Sequence, residues 1–198
     1  MDAQLEVGRT RGKCGAADHE LAVLVQDGGI HALSRRIEQF HGAAGGAIDP
    51  AADRERGFRR ALEMRGIAVD PGLISSGAMI EASGLSQAKR LLELPKDRRP
   101  TAFVCSSIGV AIGVKRACAA QGLGIGKDIA LIAHDDRIHD MGAESFDPPL
   151  TATQSSIGDA GRRIVELCVG MLREPQAPLP SEVWPVDLVV RGSTMPVG

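Results

Sequence analysis

The sequence predicts an α/β fold built on a parallel sheet, and three observations carry that reading. From Arg99 to Thr194 short apolar runs alternate with amphipathic stretches: RPTAFVCSS leads into a helix, GLGIGK makes a turn, and DIALIAHDD is a second apolar run. Strand–helix–strand repetition of this kind gives parallel neighbours with helices on both faces. Aromatic residues are only 3% of the 198-residue chain, with four Phe, one Trp and no Tyr. The core must then be built from Val, Ile, Leu and Ala, which suits helix-on-sheet packing. Finally, Asp135 and Asp136 close the second apolar run, where a parallel sheet presents its carboxyl ends to small ligands.

Taken in order, residues 1–19 are polar and Gly-rich and form an irregular lead. Leu21 to Val25 make a short apolar run before the turn signal Gln26-Asp27-Gly28-Gly29. Ile30, Leu33, Ile37 and Phe40 recur at helical spacing. HGAAGGAIDP stands where a strand belongs, but its Gly- and Ala-rich start gives little to pack and a high backbone entropy cost. Asp49-Pro50 starts a helix through ADRERGFRRALEMRG, with Phe58, Ala61, Leu62 and Met64 inward and Gly66 as its stop. Pro71-Gly72 is a turn and Leu73-Ile74 a short strand. The helix from Glu81 to Leu94 buries Leu85, Ala88, Leu91 and Leu92. Ala102–Cys105 is a strand, Val110–Gln121 a helix, Ile129–Ala133 a strand and Ile157–Leu172 a helix. The Pro-rich REPQAPLPSE then leads to a last strand, Leu188–Val190.

Composition excludes several classes. A net charge of -2 leaves no basic field to hold phosphates, and the scarcity of aromatics removes the stacking platforms of single-strand binders. Cys14, Cys105, Cys118 and Cys168 show no metal or redox spacing and read as free thiols of a reducing cytoplasm. No run of 18 apolar residues predicts a membrane span, and MDAQLEVGRTRGKCG has no apolar signal core. GLGIGK is not a Walker A loop, since Gln121 stands where its first glycine belongs and Asp128 replaces the Ser or Thr. Together with the lack of a Gly-x-Ser-x-Gly elbow, this leaves no catalytic motif and no cofactor to expect.

In order, RERGFRRALEMRGIAVDPGLISSG, PTAFVCSSIGVAIG, DIALIAHDD, DPPLTATQSS, GRRIVELCVGML and LVVRGST resemble the effector-binding domain of LacI/GalR-family transcriptional regulators, over Asp49 to Thr194. The resemblance implies a periplasmic-binding-protein-like fold with one complete lobe plus an incomplete second lobe. It divides the chain into a lead (1–19), a remnant of the first lobe (20–48), the second lobe (49–155), and a helix and strand returning toward the first lobe (156–198). The family's helix-turn-helix and hinge helix have no counterpart in residues 1–19. Implied with it are a small-molecule effector, a sugar or related metabolite, and a homodimer. DNA would be reached only through a missing N-terminal domain. The protein would be cytoplasmic, without membrane association and without enzymatic activity. The alternatives are a periplasmic-type sugar-binding protein of a transporter, which the absent export signal and the LVVRGST match oppose, a non-sensing remnant of a regulator, and a small α/β enzyme using Asp135 with His134 or His139.

The resemblance also implies site residues. Asp135 takes the place of the family's ligand carboxylate, and paired carboxylates can accept hydrogen bonds from vicinal hydroxyls; a solvated turn is the plainer alternative. Arg54 falls at the cleft arginine, whose fork can hold two ligand oxygens, although it shares its helix with Arg56, Arg59, Arg60 and Arg65. Three positions depart from the pattern. Ser107-Ile108 replaces an Asn-Asp pair, Met79 stands for a stacking aromatic, and Ser155 for the hinge glutamine, beside Gln154. The expected pocket is therefore less polar than a standard sugar site. HDDRIHD offers His134, Asp135, His139 and Asp140, but in no metal-site spacing, so no metal is expected.

Overall fold

The computed structural model describes residues 21–24, 50–137, 141–178 and 182–194. The lead, the Ile30–Phe40 helix, residues 41–49, and His139 and Asp140 lie outside the described residues. The strands are β1 (Leu21–Leu24), β2 (Ile74–Ser75), β3 (Ala102–Cys105), β4 (Ala130–Asp135), β5 (Thr151–Gln154) and β6 (Asp187–Val189). The helices are α1 (Pro50–Glu63), α2 (Glu81–Leu92), α3 (Ile108–Ala120) and α4 (Ile157–Arg173). The strands form one sheet in the order β2-β1-β3-β4-β5-β6. β1 to β5 run parallel and β6 runs antiparallel to β5. The fold is thus the α/β, parallel-sheet arrangement that the sequence predicts, with β6 as an antiparallel addition at one edge. Leu21–Leu24, from the 20–48 segment, lies in the same sheet between β2 and β3.

Strand parity sets the core. Parallel pairing aligns Phe103 with Leu131 and Cys105 with Ala133, and alternation sends all four to one face. There they meet Ala88, Leu91 and Leu92 of α2 and Val110, Val114 and Ala117 of α3, all fully buried. Each large side chain withdrawn from water contributes about 1.5–3 kcal/mol. Residues of opposite parity are only half-buried, and Phe58 of α1 packs with Ile74 and Val104 in a small cluster. The expected two-sided cover is therefore unequal among the described residues: α2 and α3 seal one face, and α1 covers part of the other.

Local signals explain the helix limits. The Ser107 hydroxyl accepts from the Val110 N–H at 3.4 Å, which starts α3 two residues before the predicted Val110. Gly122, at φ 71°, ends it: Leu123 N–H reaches the Cys118 carbonyl at 3.0 Å and Gly122 N–H that of Ala119 at 3.1 Å. GLGIGK is a helix stop and turn, with the Gly124 N–H donating to Asp128 Oδ2 at 2.7 Å. In α1, Leu62 is buried, but Met64 is 76% exposed rather than inward. The helix ends at Glu63, so Met64 sits in the turn and off the buried stripe. Thr151–Gln154 is a strand that sequence periodicity did not mark, and the C-terminal strand is Asp187–Val189, one residue earlier than predicted.

Two features of the C-terminal third stand apart. Ser156 caps α4 through the Asp159 N–H, and the same hydroxyl, with Arg162 nearby, holds the Asp159 carboxyl below its ordinary range. Yet α4 buries none of its residues among the described ones. Ile164, Val165, Val169 and Leu172 stay exposed, as do Val183 and Trp184 of the connector. In contrast, Ser193 is fully buried. Its hydroxyl donates to the Leu131 carbonyl at 2.6 Å and accepts from the Thr151 N–H at 2.8 Å, clasping β4 to β5.

Candidate functional site

A cleft of about 550 Å³ opens toward the carboxyl ends of β3, β4 and β5. This is the side of the sheet that the core helices leave free. Its apolar walls are Phe58, Val104, Ile132 and Val186, and its polar groups are Arg54, Ser106, His134, Thr153 and Ser155. Arg54 and Phe58 are one helical turn apart on α1 and so reach the same wall. Arg54 is exposed and has no ion pair among the described residues. Ser106, only 6% exposed, has a buried hydroxyl oxygen with no hydrogen-bond partner among the described residues.

The β4–β5 register assembles the polar wall by placing His134 opposite Thr153. His134 Nδ1 lies 2.9 Å from Thr153 Oγ1. Its Nε2 lies 3.2 Å from Ser155 Oγ and 3.1 Å from Asp136 Oδ1. A carboxylate accepts only, so Nε2 carries a proton toward Asp136, and in the neutral ring Nδ1 accepts from Thr153. The ring is fixed from both ends.

Of the residues expected at a site, the structure brings Arg54 and Ser155 to the cleft. Asp135 does not line it. One residue from His134, it has the opposite parity and is 3% exposed. Its Oδ1 accepts from the Arg137 N–H at 2.8 Å, and its Oδ2 from the Ala143 N–H at 3.0 Å and Gln154 Nε2 at 3.3 Å. Ser107 is occupied as the cap of α3, and Met79 is exposed ahead of α2. Neither borders the cleft. Ser106, His134 and Thr153 are the polar lining groups absent from the expected ligand-binding set. The period-2 pattern Ile132–His134 against Leu131–Ala133–Asp135 is the signal that finds His134.

Removing the Asp135 carboxylate leaves two backbone N–H groups unpaired, one of them buried. Asp135→Ala is therefore expected to cost about 1–3 kcal/mol of stability, read as a lower urea midpoint in the absence of any ligand. A residue that acts only on ligand would leave that midpoint unchanged.

Burial pushes the Cys105 thiol well above its ordinary range, with Cys118 nearby adding to the shift, and burial pushes Cys118 up to about 12. Both stay protonated and unreactive near neutrality, whereas Cys168 is exposed. In a Cys14→Ser background, Ellman's reagent at pH 8 is expected to label Cys168 alone until the chain is unfolded. Labelling of Cys105 in the native state would contradict this burial.

The model of the periplasmic binding protein-like domain matches residues 31–194. The chain belongs to this family. Its relatives within the family are LacI-type regulators, and the residues described here correspond to their effector-binding region. The HTH-type transcriptional regulator AglR of Rhizobium meliloti is 41% identical over 144 residues, covering 72% of this chain and 40% of that protein. The HTH-type transcriptional repressor CytR of Escherichia coli is 31% identical over 141 residues, covering 71% of this chain and 40% of that protein. The chain thus spans about 40% of the length of these relatives. Among solved structures, the Lac repressor bound to ONPG is 26% identical with a TM-score of 0.65, over 89% of this chain and 46% of that one. A LacI family regulator from Bifidobacterium animalis shares the fold with a TM-score of 0.68 at 20% identity, over 91% of this chain and 57% of that one. Among the described residues, no helix of this periplasmic binding protein-like domain is long and apolar enough to cross a membrane.

Proposed function

We propose that the chain is the effector-sensing domain of a LacI-type transcriptional regulator, with the cleft between Arg54 and Ser155 as its effector site. The observation that supports this best is the position of the cleft. It lies at the carboxyl ends of parallel strands, where α/β sheets hold ligands, in a chain whose relatives are named as transcriptional regulators and repressors. A ligand bound there acts by preferring one of two arrangements of the domain and its partners, and shifts that equilibrium only by its difference in affinity for the two. DNA reading belongs to another part of the regulator, and the working assembly is a cytoplasmic homodimer. The effector is a small metabolite. The sugar reading rests on family resemblance, whereas the largely apolar walls support a ligand with few hydroxyls.

The test is a thermal-shift screen of sugars, purines and small organic acids, followed by titration calorimetry of any hit. A ligand at a hundred times its Kd adds about 2.7 kcal/mol, a rise of roughly 5–10 °C for a domain of this size. Arg54→Ala and His134→Ala are each expected to weaken the hit about tenfold or more. If no compound raises the melting temperature, the non-sensing remnant becomes the better reading.

A further inference from the structure

The cleft is chemically one-sided. Carboxylates are the natural acceptors for the several O–H donors of a sugar, and among the described residues none lines it. Asp135 is turned away and saturated by Arg137, Ala143 and Gln154. Asp136 faces His134 and is not a lining residue. What the cleft offers instead is donors. Arg54 brings to one wall a guanidinium with no ion pair among the described residues. Ser155 needs only its oxygen to meet His134 Nε2, so its proton is free for a ligand. Ser106 has a buried hydroxyl with no partner among the described residues, and a buried polar group of this kind calls for one. The remaining surface, from Phe58, Val104, Ile132 and Val186, rewards an apolar body.

We infer that the ligand of this cleft is a small organic carboxylate with an apolar body, not a neutral polyol. The carboxylate takes the Arg54 fork and the serine hydroxyls, and an aromatic or branched aliphatic body fills the apolar walls. Arg54 is exposed, so water screens its charge, and the preference for an acid over its amide comes from the two parallel charge-assisted hydrogen bonds that the guanidinium fork gives a carboxylate. The inference rests on the reading of the cleft as the effector site.

The experiment is calorimetric titration of the full chain with 3-phenylpropanoate, its neutral amide 3-phenylpropanamide, and the disaccharide trehalose. The carboxylate is expected to bind at least about tenfold tighter than the amide, with no heat from trehalose. Arg54→Gln is expected to bring the carboxylate down to the affinity of the amide. Val186→Arg, on an exposed wall position, serves as the cleft-directed control. Equal binding of acid and amide overturns the inference, as does trehalose binding that Val186→Arg abolishes; in both cases the cleft remains an effector site and only the ligand class fails. If none of the three binds, the ligand class fails, and the thermal-shift screen above decides the effector-site reading separately.

Discussion

Replacing Gly113 with alanine is expected to lower the urea midpoint sharply, by about 3 kcal/mol of stability or more, at the upper end for overpacking a core. The cause is the close approach of α2 and α3. A Cβ at Gly113 would overlap the Glu81 carbonyl oxygen and stand 2.5 Å from the Leu85 backbone nitrogen. The contact is reciprocal, since a Cβ at Gly84 would overlap the Val110 carbonyl oxygen and stand 3.0 Å from its carbon. All these atoms are backbone, so no side chain can swing aside and the helices must separate. Gly57 is the control. It too lies in a helix, but a Cβ there meets nothing within 4 Å, so Gly57→Ala is expected to stabilise by about 0.5–1 kcal/mol through propensity alone. If Gly113→Ala and Gly57→Ala shift the midpoint in the same direction, the tight α2–α3 contact is wrong.

Phe103→Ala is expected to cost about 3–5 kcal/mol. That is a large part of the roughly 5–15 kcal/mol that holds a typical domain together. Phe103 is fully buried in β3, pairs in register with Leu131, and lies under α2 and α3. Truncation leaves a cavity between rigid elements that cannot collapse to fill it. Val165→Ala on α4 makes the comparison: Val165 is 62% exposed, and its loss is expected to stay within about 0.5 kcal/mol. Calorimetric melting of both variants measures the difference, and equal costs would mean that α4 is packed as tightly as the central strand.

Much of the architecture was legible because several local signals agreed. The apolar runs of β3 and β4, the stripe Leu85–Ala88–Leu91–Leu92 and the glycine stop at Gly122 each point to the element that forms. β5 escaped notice because Thr151–Gln154 is short, mostly polar and preceded by two prolines; its strand geometry comes from pairing with β4 and from the Ser193 clasp, both long-range. The site was legible only in part. Arg54 and Ser155 reach the cleft, while Asp135, expected there from resemblance, points away on strand parity. A carboxylate at a strand's end can cap its own loop as readily as it can face a ligand, and a motif does not distinguish the two. Counting alternation forward from Leu131 and Ala133 does, and it exchanges Asp135 for His134.

The Ser193 clasp has a consequence for the order in which the protein is made. Thr151 and Ser193 are 42 positions apart, so a nascent chain exposes β4 and β5 to water well before the hydroxyl that joins them leaves the ribosome. Until then the Leu131 carbonyl and the Thr151 N–H have no Ser193 hydroxyl between them, and β5 lacks its β6 neighbour. Thr153 and Ser155 stand on or just beyond that strand, so the polar wall of the cleft is set only late in synthesis. A complete cleft is thereby reserved for chains that have been translated through Ser193.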